Sequence, residues 1–192
     1  LSYRHTKEGW KLSGKIVVKA SIAEQFARFL EHGRVFLFSA PCGFGKTTTA
    51  EALLAGRRVR CVTAGEAGFA LPDADGTWDI LLVDDLQQMQ EEEEQQTLCG
   101  LIREHPELRF VLLTRGAPPG WLAAFQYAGV MTTVDADDML FDREEIRRMF
   151  QLSGVTVTES ELTGVLKNSI GYPLGVAITV RCMEGGKPYT SE

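Results

Sequence analysis

A phosphate-binding loop is predicted at residues 39–48, whose sequence is SAPCGFGKTT. The apolar run Arg34–Ser39 before it is typical of a strand that is covered on both faces. Gly43 and Gly45 allow backbone torsions and a close approach that a Cβ atom would prevent. The residues after the loop favour a helix, so free N–H groups and the positive helix end point at one place. The segment therefore predicts a site for a nucleoside triphosphate.

Three residues carry the predicted polar contacts of this loop. Lys46 would bind the β- and γ-phosphates, the Thr47 hydroxyl would be a ligand of Mg²⁺, and Thr48 would touch the α-phosphate. Ala40 stands where the usual G-x-x-x-x-G-K-[ST] pattern has its first glycine, which requires Ala40 to keep a negative φ. The loop residues assigned to nucleotide binding are Gly43, Phe44, Gly45, Lys46, Thr47 and Thr48. The alternative interpretation is an ordinary glycine-rich turn between a strand and a helix.

A second acidic site is predicted where the apolar run 80–83 ends in Asp84 and Asp85. Nucleotide chemistry that uses Mg²⁺ needs a carboxylate at the carboxyl end of a neighbouring strand. Asp84 is therefore predicted to hold Mg²⁺, usually through water, and Asp85 to polarise the attacking water. The alternative is that either acid caps the next helix.

Arg115 follows a further predicted strand, at residues 110–114. A cation at this end of the sheet could sense the γ-phosphate and stabilise charge during transfer. The predicted catalytic residues are then Lys46, Asp85 and Arg115, although Arg115 could also be a surface residue of the turn before Pro118 and Pro119.

Strands that alternate with helices predict an α/β fold with a parallel sheet. Strands are expected at 34–39, 58–63, 78–85, 110–114 and 130–134, and helices at 22–30, 46–55, 87–105 and 121–128. Ser21 and Glu24 form a predicted capping box for the first helix. After residue 135 three helices are expected, at 142–152, 158–168 and 172–183, with Asp142 and Thr158 as caps and Pro173 in a first turn.

Composition limits the class of protein. The 192 residues carry a net charge of −6, which argues against broad electrostatic binding of nucleic acid. Of these residues 44% are hydrophobic, but no apolar run is near 18 residues long, so no membrane span is predicted. Four cysteines without metal-ligand spacing are typical of reduced thiols and favour a cytoplasmic protein. The ends of the chain suggest a piece of something longer.

Four segments in this order resemble the STAND class of signal-transduction ATPases, in particular the nucleotide-binding domains of large bacterial LuxR-type regulators similar to the maltose-regulon activator. They are the loop at 39–48, LLVDDL at 81–86, LLTRGAPP at 112–119 and GYPLG at 171–175. The resemblance implies a five-stranded parallel P-loop NTPase sheet of order 5-1-4-3-2, followed by a small all-helical lid. The expected divisions are a lead-in at 1–14, the nucleotide-binding domain at 15–138, the lid at 139–185 and a tail at 186–192.

The resemblance also implies roles and partners. Pro173 would contact the base and couple the lid to nucleotide state, while Val17 and Val18 would pack against adenine. ADP would hold a resting form, and an inducer would permit ATP binding and self-association. Sensor and helix-turn-helix domains would lie outside these residues, so this part would contact no nucleic acid. The crossover at 64–77 is shorter than in the family, so the sheet edge beside the second strand is expected to be less well covered than is usual there.

Two other functions remain open at this point. A P-loop kinase of small molecules would need lid arginines, for which Arg147 and Arg148 are candidates. A non-enzymatic scaffold would hold nucleotide for structural reasons only.

Overall fold

The computed structural model describes residues 16–186 and residue 189. The chain divides into two compact units. The α/β unit comprises Ala20–Met139, and the helical unit comprises the described residues 16–19 together with those from Leu140 onward. The predicted lead-in at 1–14 and most of the predicted tail lie outside the described residues. The sequence predicts a nucleotide-binding domain from residue 15 onward, whereas residues 16–19 have their contacts in the helical unit.

The α/β unit is built on a five-stranded, all-parallel sheet of order β2-β3-β4-β1-β5. When the sheet is read from its other edge, this order is the predicted 5-1-4-3-2. The predicted fold class is therefore confirmed. The strands are β1 Val35–Ser39, β2 Val59–Thr63, β3 Ile80–Asp84, β4 Arg109–Thr114 and β5 Met131–Asp135.

Each face of the sheet is covered by its own apolar cluster. Along β1, Val35 and Leu37 join one cluster, whereas Phe36 and Phe38 join the other. The alternation follows from the two-residue period of a strand. Because every residue of β1 is buried, its sequence has the continuous apolar run from which this strand was predicted.

The helices of the α/β unit cover both faces. They are α1 Ala20–His32, α2 Lys46–Leu54, α3 Glu92–Glu104, α4 Ala123–Tyr127 and α5 Ala136–Met139. Short 3-10 turns occupy Leu86–Gln88 and Gly120–Leu122. The sequence did not predict α5.

Two predicted helix starts are wrong. Helix α1 begins at Ala20, so Ser21 already has helical backbone and is not the cap that the capping box with Glu24 required. Helix α3 begins at Glu92 rather than Gln87. Its first turn holds three glutamates, which are favourable at the positive end of a helix.

The sheet edge at β2 is less covered than the interior strands. Arg60 and Cys61 are exposed. Whether this edge is less covered than is usual in the family stays a prediction. The connection between β2 and β3 contributes Trp78 to the core, and its indole Nε1 donates to the carbonyl of Asp73 at 3.2 Å.

The helical unit contains α6 Arg143–Ser153, α7 Glu159–Ser169 and α8 Pro173–Glu184. Asp142 and Thr158 each form a complete capping box, and Pro173 occupies the first turn of α8, so these three predictions are confirmed. The core of the unit is Val17, Ile146, Met149, Phe150, Leu162, Val165, Val176 and Val180.

Residues 16–19 are tied to the helical unit by both apolar and polar contacts. Val17 is buried in the core of the unit. The ammonium of Lys19 donates to the carbonyl of Leu140 and lies 3.9 Å from the Glu145 carboxylate.

Among the residues that the structure describes, none of the helices combines the length and the apolar character that crossing a membrane requires.

Candidate phosphate-binding site

The predicted phosphate-binding loop connects β1 to α2. Gly43 and Gly45 have φ of 83° and 80°, in the left-handed region that glycine occupies without strain. Asp85 and Ile170 are the non-glycine residues of positive φ in the described part of the chain. Ala40 therefore keeps the negative φ that its place in the motif requires. Phe44 is partly buried and packs against the core cluster beneath the loop.

Lys46 starts α2 and turns its side chain back over the loop. Its ammonium donates to the carbonyls of Ala40 at 2.6 Å and Pro41 at 2.9 Å. The residue is only 8% exposed, and this burial lowers the pKa of Lys46, while the charge of Asp84 acts in the opposite direction. A lysine has three N–H donors, so the loop carbonyls hold the cation inside the loop and leave one donor for a ligand.

Thr47 and Asp84 are brought into contact by the fold. The Thr47 hydroxyl donates to Oδ2 of Asp84 at 3.0 Å, although 37 positions separate the two residues in sequence. Oδ1 of Asp84 accepts the backbone N–H of Asp85 at 2.7 Å. The two predicted metal ligands thus lie side by side, and the orientation of the carboxylate is fixed.

Thr48 lies in the first turn of α2 and is half-buried. Its predicted contact with the α-phosphate stays a prediction.

Asp85 forms an ion pair with Arg115. The Nε of Arg115 donates to Oδ1 of Asp85 at 2.8 Å, and Nη2 donates to Oδ2 at 3.0 Å. Both oxygens of the carboxylate are therefore engaged in a two-pronged arrangement. Asp85 lies just before the 3-10 turn, but its side chain makes no capping hydrogen bond there, so the alternative that it caps the next helix is not what the structure contains.

The strand order explains why Asp85 and Arg115 lie close together. Strand β4 lies between β1 and β3, so Arg115 at its end lies between the phosphate-binding loop and the acidic pair. The hydroxyl of Ser39, at the end of β1, donates to the carbonyl of Gly116 at 2.7 Å and ties the two strand ends together.

Gln87 is a site residue that the sequence did not indicate. Its Nε2 donates to Oδ1 of Asp85 at 2.8 Å, and its Oε1 accepts the backbone N–H of Arg115 at 3.0 Å. In the sequence Gln87 lies at the predicted start of a helix, and no spacing rule connects it to Arg115, which lies 28 positions away.

The residues that are predicted to contact the base all lie in the helical unit. Val17 is part of the core of that unit, Val18 is half-buried and Pro173 is buried. Their roles at a base stay predictions.

The residues present fit a phosphate group and a divalent cation. Two loop glycines of positive φ, a buried lysine and the start of a helix supply positive charge and free N–H groups at one place. The hydroxyl of Thr47 and the carboxylate of Asp84 supply oxygen ligands of the kind that Mg²⁺ prefers.

Comparison with known proteins shows a similarity in fold. Neither a scan against protein-family models nor a search of curated proteins finds a match. Among solved structures, a RuvB variant from Thermotoga maritima is similar at 17% identity and a TM-score of 0.61, over 90% of this chain and 64% of that one.

Two structures from Pyrococcus species are similar at 15% identity. A Walker-type ATPase from Pyrococcus abyssi has a TM-score of 0.64, over 90% of this chain and 69% of that chain. A STAND protein with a tetratricopeptide-repeat sensor from Pyrococcus horikoshii has a TM-score of 0.63, over 92% of this chain but only 31% of its own length. This chain thus spans less than two thirds of the RuvB and STAND chains, and what it shares with all three is the fold of the P-loop NTPases.

Proposed function

We propose that this chain is an ATP- and ADP-binding switch module that hydrolyses ATP slowly with Mg²⁺. Lys46 and the loop N–H groups would bind the phosphates, and Thr47 and Asp84 would hold Mg²⁺. Mg²⁺ held by these two residues would supply positive charge that offsets the negative charge of the phosphates. Asp85 would polarise the attacking water, and Arg115 would bind the γ-phosphate.

The observation that carries the proposal is the closed Asp85–Arg115 pair. Both carboxylate oxygens accept hydrogen bonds from the guanidinium, so the positive charge of Arg115 would weaken Asp85 as a base towards water while the pair is closed. ADP lacks the phosphate that would compete for Arg115, and the pair would stay closed with ADP. ATP would draw Arg115 away and release Asp85.

The Asp85–Arg115 ion pair is weak enough for Arg115 to exchange it for a contact with a γ-phosphate. The side chain of Arg115 is 55% exposed, and an exposed ion pair contributes about 0.2–1 kcal/mol. Because a γ-phosphate would offer the guanidinium charged oxygens of the same kind, the loss of this pair can be offset by the new contact. The differential contact with ATP and ADP is what a population shift requires.

The wider role is proposed from the resemblance of the four sequence segments. The module would belong to a STAND-class regulator of the LuxR type, with the helical unit as the lid that reports nucleotide state. An unidentified inducer would bind elsewhere in the protein, and self-association and DNA binding would depend on domains beyond these residues. The similarity in fold to a STAND protein with a repeat sensor supports this assignment.

The kinase alternative finds less support. Arg147 donates to the carboxylates of Glu144 and Glu159, the latter at 2.9 and 3.0 Å. Since these contacts already engage the guanidinium, it is less available to an acceptor substrate.

The decisive experiment asks whether the protein binds ADP. Nucleotide released from denatured protein is identified by mass spectrometry, and ADP binding is measured by calorimetry. We expect bound or tightly binding ADP, lost in Lys46→Ala and retained in the control Lys167→Ala, which changes an exposed lysine of α7. A nucleotide-free protein without a calorimetric ADP signal would contradict the proposal.

A further inference from the structure

Gln87 contacts both members of the Asp85–Arg115 pair through one amide. Its nitrogen donates to the carboxylate at 2.8 Å, and its oxygen accepts the backbone N–H of Arg115 at 3.0 Å. The orientation of the amide is determined by its neighbours, because only the nitrogen can donate to a carboxylate and only the oxygen can accept from an N–H.

The backbone that carries Gln87 is fixed on both sides. The 3-10 turn Leu86–Gln88 contains Gln87, and the flanking Leu86 and Met89 are 1% and 3% exposed. The N–H of Met89 donates to the carbonyl of Leu86 at 3.0 Å. The side chain therefore extends from a rigid turn after β3 to the end of β4.

One oxygen of Asp85 receives two donors. Oδ1 accepts from Nε of Arg115 and from Nε2 of Gln87, both at 2.8 Å. If Arg115 turns towards a γ-phosphate, Oδ1 keeps the donor from Gln87. The carboxylate is then neither left without a partner nor free to rotate away, and a buried or half-buried acceptor without a donor is costly.

We propose that Gln87 is a positioning residue for recognition of the γ-phosphate. It retains Asp85 when Arg115 leaves and keeps the backbone of Arg115 in place, so it lowers the cost of opening the pair. Gln87 thereby favours ATP over ADP without touching either nucleotide. This inference rests on the proposed function, since it concerns the same site.

The test compares Gln87→Ala with the wild type. Dissociation constants of ADP and of a non-hydrolysable ATP analogue are measured with Mg²⁺ by calorimetry. We expect the affinity for the analogue to fall about tenfold, the equivalent of one hydrogen bond to a charged group, while the affinity for ADP is unchanged. The matched control is Gln88→Ala, which truncates the exposed neighbour in the same turn and leaves both affinities unchanged.

A second substitution of Gln87, and the same substitution in a protein that lacks the ion pair, distinguish a positioning role from an effect on folding. Gln87→Met keeps the length of the side chain but removes both hydrogen bonds, and should reproduce the selective loss if Gln87→Ala fails to fold. In an Asp85→Asn background the ion pair is already broken, so Gln87→Ala should cost much less affinity for the analogue than in the wild type.

Each outcome has a distinct meaning. A wild type that binds neither nucleotide contradicts the proposed function, and this inference falls with it. A wild type that binds both, with an unchanged ratio of affinities in both Gln87 variants, overturns only the role of Gln87. An equal loss for both nucleotides also overturns it, because a purely structural residue would act in that way.

Discussion

The hydroxyl of Thr47 donates to Oδ2 of Asp84 at 3.0 Å and so joins the first turn of α2 to the end of β3. The backbone N–H of Asp85 holds the other oxygen of the same carboxylate at 2.7 Å. A hard cation finds a neutral and an anionic oxygen ligand at this point. The contact therefore predicts that Mg²⁺ strengthens nucleotide binding through Thr47.

Thr47→Val removes the hydroxyl and keeps the shape of the side chain. We expect the gain in ADP affinity from Mg²⁺ to shrink about tenfold, since one ligand to a charged group is lost. Affinity in the presence of a chelator should be unchanged. Calorimetry with and without Mg²⁺ measures both, and Thr97→Val, at an exposed position of α3, is the control. An undiminished Mg²⁺ effect in Thr47→Val would exclude this residue as a ligand.

Asp85→Asn keeps the size of the side chain but removes the charge that would polarise water. A general base contributes about 10²–10⁴-fold to a rate, so phosphate release over a long incubation should fall at least about a hundredfold. Asp137→Asn changes an exposed acid of α5 and should leave the rate unchanged. Equal background rates in wild type and Asp85→Asn would favour the non-enzymatic scaffold.

Gly171 is required by the packing of the helical unit. Its φ is 77°, and a Cβ atom there would overlap the carbonyl oxygen of Phe141 and lie 3.1 Å from its backbone nitrogen. We expect Gly171→Ala to lower the free energy of unfolding by about 2 kcal/mol, from strain and overlap together. Thermal or urea denaturation followed by circular dichroism measures the change.

Gly175→Ala is the matched control from the same motif. A Cβ atom at Gly175 would meet its nearest neighbours at 3.5 and 3.6 Å, which is ordinary contact, and the residue lies inside α8. Alanine favours a helix over glycine by about 1 kcal/mol, so this variant should be neutral or stabilised. Equal destabilisation by both substitutions would contradict this account of Gly171.

Asp142 caps α6 through its side chain. Oδ1 accepts the backbone N–H groups of Glu144 at 2.8 Å and Glu145 at 2.9 Å. Asp142→Ala should cost about 1 kcal/mol, visible as faster hydrogen exchange in the first turns of α6. Asp142→Asn keeps an acceptor and should lose much less; an equal loss would show that the cap is not the cause.

The same cap predicts a dependence on pH. The hydrogen bond from the backbone N–H of Glu145 is the main cause that lowers the pKa of Asp142 below its ordinary value of 3.8. A carboxyl group with a lowered pKa contributes stability to the folded state. This contribution is fully present above pH 3.8 and is lost as the pH falls through the folded-state pKa. Burial raises the pKa of Glu145, which acts in the opposite direction. The difference in unfolding free energy between wild type and Asp142→Asn, measured from pH 6 to pH 2, should therefore shrink at the acid end.

Much of the fold could be predicted from local sequence. The apolar runs that became β1 and β3 are continuous because both strands are buried on both faces. The caps Asp142 and Thr158 were predicted because Asp and Thr are favoured N-cap residues. The structure adds that a glutamate three residues later completes a capping box in each case. The predicted start of α1 is wrong because a serine and a glutamate three residues apart also occur inside helices. Ser21 and Glu24 both lie inside α1.

Residue types within a few positions of one another were enough to predict the phosphate-binding loop, the acids after β3 and the arginine after β4. Two features instead depend on contacts between distant parts of the chain: Asp85, Arg115 and Gln87 form one hydrogen-bonded group, and Val17 packs with the helical unit. Partners 28 or 30 positions apart meet because β3 and β4 are neighbours. Asp85 also adopts a left-handed backbone with φ of 52°, and helical or strand periodicity carries no signal for such a turn.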